Sequence, residues 1–100
     1  MPLFLLTNLA KNDLRTIAKF TEQKWTKNQR NIYIKQFDET FKTLAKNPEI
    51  GKHCAFIKEG YQKFPQGNHV IFYRKVPSGN VEIIRILHKK MDVGSKLSHS

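Results

Sequence analysis

Eight basic side chains in the second half of this chain are the residues best suited to chemistry. They are Lys58, Lys63, His69, Arg74, Arg85, His88, Lys89 and Lys90, spaced through segments that read as β-strands. Gathered on one concave sheet face, they could hold a phosphodiester and stabilise the charge that develops during its cleavage, with no metal required. The commoner arrangement is an ordinary solvated face, with cations alternating outward along each strand. Other constellations carry less. His53 and Cys54 are adjacent, and no second cysteine or spaced histidine pair completes a zinc site. Asp38 and Glu39 are helix neighbours projecting about 100° apart, which does not make a carboxylate pair. Gly60, Gly67 and Gly79 stand alone, without a phosphate-cradling pattern. Cys54 has no local partner that would make it a nucleophile. No cofactor and no metal site is expected.

The elements that must position these residues are legible from periodicity. Leu3–Leu6 is a brief apolar run behind Pro2 and predicts a short buried strand. Thr7 or Asn8 can cap a following helix, whose stripe is Ala10, Leu14, Ile17, Ala18, Thr21 and Trp25, with Phe20 beside it. Thr26 to Gln29 has the form of a capping box, so a second helix starts at once. Its stripe is Arg30, Tyr33, Phe37, Phe41 and Leu44, widened by Ile34 and Ala45, and Asn47-Pro48 ends it. Trp25, Phe37 and Phe41 are therefore expected in the core. Ala55–Lys58 is a possible strand; Tyr61–Phe64 alternates with period two. His69–Arg74 and Val81–His88 are the strongest strand signals, joined by Val76-Pro77-Ser78-Gly79-Asn80.

This order predicts an α+β fold: an N-terminal strand, an antiparallel helix hairpin, then a three- to four-stranded antiparallel sheet with the hairpin on one face. The other face has no helix of its own, so side chains or a partner must cover it. Residues 1–93 are expected to form one domain and 94–100 a polar tail.

Composition bounds the partners. The chain has 100 residues with 18 Lys+Arg against 8 Asp+Glu, a net charge of +10, and 39% hydrophobic residues. That is enough apolar material for a core, and the charge favours nucleic acid or an acidic protein as partner. The charge is spread out, with nine basic and five acidic residues in the first half and nine and three in the second. No polybasic run exists. Apolar runs such as Leu3–Leu6 and Val70–Tyr73 reach four residues, far below the roughly 20 that span a bilayer, so no membrane role is expected. The lone Cys54 suits a reducing compartment, and the expected localisation is cytoplasmic.

Within this framework several sequence words are specific. They are Ala10-x-x-Asp13-Leu14-x-x-Ile17, Leu44-x-x-Asn47-Pro48-x-x-Gly51, Gly60-Tyr61-x-Lys63-Phe64-Pro65, His69–Arg74, and Val81–Asp92 with its Ile86-Leu87-His88-x-x-Met91-Asp92 ending. Together, over residues 3 to about 93, they resemble the ParE toxins, one half of bacterial type II toxin–antitoxin pairs in the RelE/ParE superfamily. The resemblance implies a poison that binds DNA gyrase, through its GyrA subunit, and stabilises the cleaved-DNA complex. It also implies a cognate ParD-like antitoxin that neutralises the toxin, with DNA contacted only indirectly through antitoxin or gyrase. RelE-type ribosome-dependent mRNA endonucleases are the alternative on the same scaffold, and they place a tyrosine after the last strand. Here no tyrosine follows Tyr73. His88 alone would be a base without a positioned acid. The gyrase reading therefore assigns no catalytic residue. It places target contacts on Arg85, His88, Lys89, Lys90 and Met91, with Lys63, His69 and Arg74 as a supporting basic face.

Overall fold

The computed structural model describes residues 3–54 and 57–90. Strand β1 (Phe4–Leu6) leads into helices α1 (Asn8–Lys24) and α2 (Lys27–Lys46), followed by a 3-10 turn (Pro48–Ile50). The strands β2 (Lys52–His53), β3 (Gln62–Gln66), β4 (His69–Lys75) and β5 (Val81–His88) complete the chain of elements. Both helices start where the capping residues placed them. Thr7 Oγ1 accepts from Ala10 N, and Thr26 Oγ1 accepts from Gln29 N, each at 3.0 Å. Only Trp25 and Thr26 separate the helices, which folds them into a hairpin.

The five strands make one sheet in the order β1-β5-β4-β3-β2. The antiparallel part matches the α+β expectation. The edge pairing is additional: β1 lies parallel to β5, with Phe4 opposite Val81 and Leu6 opposite Ile83. A bulge at Ile84 shifts the β4–β5 register between Phe72 and Tyr73, so both Ile83 and Ile86 serve the core under the helices.

Each sheet face has its own core. Under the hairpin lie Ala10, Ile17, Phe37, Phe41, Leu44, Ile71, Tyr73, Val81, Ile83 and Ile86. The opposite face is closed by a smaller cluster in which Phe72, Ile84 and Leu87 pack with Cys54 and Tyr61, with Ile57 alongside. The β2–β3 connection thus supplies the cover that no helix provides.

Two expectations are corrected. Trp25 is 66% exposed, because it caps the end of α1 at the tip of the hairpin, where the stripe has run past the sheet. Of Ala55–Lys58, residues 55 and 56 lie outside the described residues, and Ile57 and Lys58 sit in a turn, not a strand. The polar tail, 94–100, also lies outside the described residues.

Candidate functional site

One end of the fold gathers titratable groups around an open cleft. It is formed where α1 passes the C-terminal end of β5, with a volume of about 350 Å³. Asp13, Ile17 and Phe20 line it from α1, and His69, Arg85 and His88 from the strands.

Strand alternation explains which residues meet there. His69 and His88 are directly opposite in the β4–β5 register, so their side chains share a face. Their rings meet edge-on with centroids 5.5 Å apart. The His69 ring also packs on Phe37 and Tyr33 of α2, which fixes that face as the helix side. Tyr33 Oη accepts from Asn68 N at 3.2 Å and lies 2.9 Å from His69 Nδ1. The hydroxyl also reaches Gln66 O as a donor at 3.4 Å, so the direction of its bond with Nδ1 follows the His69 tautomer. Burial and the neighbouring His88 hold His69 below the ordinary imidazole range, against an opposing pull from Asp13. Burial raises the Tyr33 hydroxyl, partly offset by the Asn68 N–H. This is a pair of neutral groups at neutral pH, one orienting the other.

The wall beside them is ionic. Arg85 donates to Asp13 through Nε at 2.8 Å and Nη2 at 3.0 Å, a bidentate pair whose side chains are only 16% and 15% exposed. The hydrogen bond from Asp13 raises the Arg85 pKa further above its usual value, with burial opposing it. Asp13 Oδ2 also accepts from Ile86 N at 2.9 Å. Two residues earlier, Thr7 Oγ1 donates to Ile84 O at 2.7 Å. Beyond Ile83, where the β1 register stops, α1 therefore takes over the bonding along the β5 edge.

The sequence-stated site residues separate into three groups. His88 lines the cleft, and the exposed Lys89 and Lys90 follow it directly. Arg85 is drawn inward and committed to Asp13. Met91 lies outside the described residues. The supporting basic face does not exist as one surface. His69 faces the helices, whereas Lys63 stands opposite Phe72, on the other side of the sheet. Arg74, two residues after Phe72, shares that far side and pairs with Glu82 at 2.8 Å. An odd separation along β4 puts 69 and 74 on opposite faces, and that parity was readable. Sequence reasoning missed Asp13, Phe20 and Tyr33. Asp13 stood inside a quoted motif, but nothing local links it to Arg85, 72 residues later. Cys54 is fully buried and its thiol is pushed up by desolvation, so it is a core residue.

Comparison with known proteins decides the family. The family model described as the ParE toxin of the type II toxin–antitoxin system parDE matches residues 4–93. The chain belongs to the ParE toxin family. Among curated ParE relatives, Toxin ParE1 of Mycobacterium tuberculosis is 34% identical over 94 residues, covering 94% of this chain and 96% of its own length. Toxin ParE1 of Caulobacter vibrioides shows the same identity and coverage. Among solved structures, the chromosomal ParDE system of P. aeruginosa superposes with a TM-score of 0.73 at 18% identity, over 88% of this chain and 96% of that one. The RelBE2 toxin–antitoxin complex of Mycobacterium tuberculosis aligns with a TM-score of 0.57 at 20% identity, over 89% of this chain and all of that one. At such identities the two structures establish that the ParE chain shares their fold. Among its described residues, no helix is long and apolar enough to cross a membrane.

Proposed function

We propose that this ParE-family toxin acts in the cytoplasm as a poison of DNA gyrase, gripping the GyrA subunit and stabilising the cleaved-DNA complex without catalysing a reaction itself. A ParD-like antitoxin neutralises it, and DNA is met only through antitoxin or gyrase. The observation that carries this reading is the ParE match across residues 4–93. The charge of +10 suits a protein that must approach an enzyme already holding DNA.

The geometry refines which residues make the contact. Lys89 and Lys90 present cations just past the end of β5, next to His88 and followed in sequence by Met91. Arg85 acts behind them as a positioning residue, because its clamp to Asp13 fixes where the strand ends. The test is gyrase supercoiling with the purified toxin. Inhibition with trapped cleavage is expected, and the Lys89→Glu/Lys90→Glu double variant should lower potency about tenfold or more at unchanged thermal stability.

One feature favours a second reading, mRNA cleavage. Tyr33, His69 and His88 put a phenol and two imidazoles at one place. The phenol is committed to Asn68 and His69, however, and no tyrosine follows Tyr73. Ribosome-dependent RNA cutting that is abolished by His88→Ala, with gyrase turnover untouched, would replace the gyrase reading.

A further inference from the structure

His69 and His88 meet where antiparallel strands bring side chains closest together. Lys89 N donates to Asn68 O at 3.0 Å, so the flanking pair is hydrogen-bonded and the 69–88 pair is not. Residues opposite each other in such a pair hold their Cβ atoms nearest across a sheet. The ring centroids accordingly lie 5.5 Å apart. Two imidazoles on one tetrahedral ion, bound through nitrogens at about 2.1 Å, have ring centres about 5 Å apart. A small side-chain adjustment joins the two spacings.

The surroundings prepare one nitrogen of each ring. His69 Nδ1 lies 2.9 Å from Tyr33 Oη, which reaches Gln66 O at 3.4 Å and accepts from Asn68 N at 3.2 Å. With its proton on Nδ1, His69 donates to Tyr33, Tyr33 donates to Gln66 O, and the Nε2 lone pair is free. That is the outer bond by which metal-bound histidines are oriented. His88 Nδ1 accepts from Lys90 N at 3.2 Å, an exposed bond that water replaces once the proton moves to Nδ1. Both rings line the same open cleft. Among the described residues no third His, Cys, Asp or Glu completes a ligand group with them. Asp13, in the same cleft, is already bonded to Arg85 and Ile86 N.

We propose that His69 and His88 bind one transition-metal ion of the Zn²⁺, Ni²⁺ or Cu²⁺ kind through their Nε2 atoms, with water filling the remaining positions. Charge selects the ion. The chain carries +10 and the Asp13–Arg85 pair adds no net charge, so a hard cation such as Mg²⁺, which needs oxygen ligands, gains nothing here. Imidazole nitrogen suits the softer ions, whose bonds to it offset the repulsion. A bound ion ties the start of β4 to the end of β5. The site is independent of what the toxin grips.

The experiment titrates Zn²⁺ and Ni²⁺ calorimetrically into the full chain, free of any affinity tag. The chain has four histidines, so a His53→Gln/His99→Gln double variant serves as control by removing the other two. Wild type and control should each bind one ion per chain with similar affinity, and Mg²⁺ should give no heat. His69→Gln and His88→Gln should each weaken binding about 30-fold or more, beyond the roughly tenfold loss expected for Tyr33→Phe, which removes only the outer bond. Circular dichroism checks that each variant is folded; should His69→Gln fail to fold, His88→Gln decides. Ni²⁺ should raise the melting temperature of the wild type and leave that of His88→Gln unchanged. No binding of either ion to the wild type at about 1 mM overturns the proposal, as does binding that His88→Gln retains or the control loses.

Discussion

The two ends of the helix-covered face use the same device to opposite effect. At one end Tyr73 is fully buried; its hydroxyl donates to Pro48 O at 2.7 Å and accepts from Gly51 N at 2.9 Å. Gln62 Nε2 donates to the same Pro48 carbonyl at 2.9 Å, and the junction after α2 is sealed. At the other end Tyr33 holds the β3–β4 turn through Asn68 N, but it is only half-buried and its second partner is a titratable ring. One tyrosine closes the fold. The other shapes an end that remains open, where an imidazole pair and a cleft meet solvent. The difference shows where this scaffold places rigidity and where it keeps chemistry adjustable.

Glycine substitutions test this contrast most severely. A Cβ on Gly51 would lie 2.1 Å from Tyr73 Oη and 2.8 Å from the Lys63 carbonyl, and neither can retreat. Gly51→Ala should cost about 3 kcal/mol in chemical denaturation, the upper range for overpacking. Gly67 stands first in the two-residue β3–β4 loop at φ +60°, and a Cβ there meets the Tyr33 hydroxyl at 2.5 Å. Because Tyr33 can move, Gly67→Ala should cost about 1–2 kcal/mol, chiefly for the left-handed backbone. Equal losses at both sites would erase the distinction drawn between the two ends.

Removing the hydroxyls sharpens it. Tyr73→Phe strands Gly51 N–H in a buried place and should cost about 2–3 kcal/mol. Tyr33→Phe frees Asn68 N–H to exposed surroundings and should cost about 0.5–1 kcal/mol.

The smallest expected effect is pH dependence at the open end. Unfolded His69 takes up a proton at its ordinary value near 6.5, while the folded ring resists it. The contribution of neutral His69 is therefore complete above about pH 6.5 and is lost as pH falls through the depressed folded value. His88, Asp13 and Tyr33 are the polar groups set against this ring. Melting temperature should drop as the pH falls from 7 to 5.5, and His69→Gln should flatten part of that slope. An equally steep slope in the variant would show that the ring is not what titrates.

Much of the architecture was legible in the sequence. Thr7 and Thr26 announce the helix starts because their short hydroxyls satisfy first-turn amides. The stripe Phe37, Phe41 and Leu44 marks the buried face of α2. Trp25 misled because helical spacing says which way a residue points but not whether the sheet still extends beneath it. The β1–β5 pairing was not legible, since strands at opposite ends of a chain carry no local sign of each other. The candidate site suffered most from that limit. Its defining contacts, Asp13 to Arg85 and Tyr33 to His69, join residues 72 and 36 positions apart. Parity within β4 was visible and separates His69 from Arg74, but which strand faces meet the helices was not, so the cations read as one surface are divided between two.

The clamp from Asp13 to Arg85 and Ile86 also bears on the making of the protein. During synthesis β1 emerges without its sheet neighbour and α1 has only α2 to pack on, since β5 is translated last among these elements. The nascent polypeptide cannot assemble this end piecemeal; the clamp closes only once β5 has left the ribosome, so the two termini of the domain are fixed together in one late step.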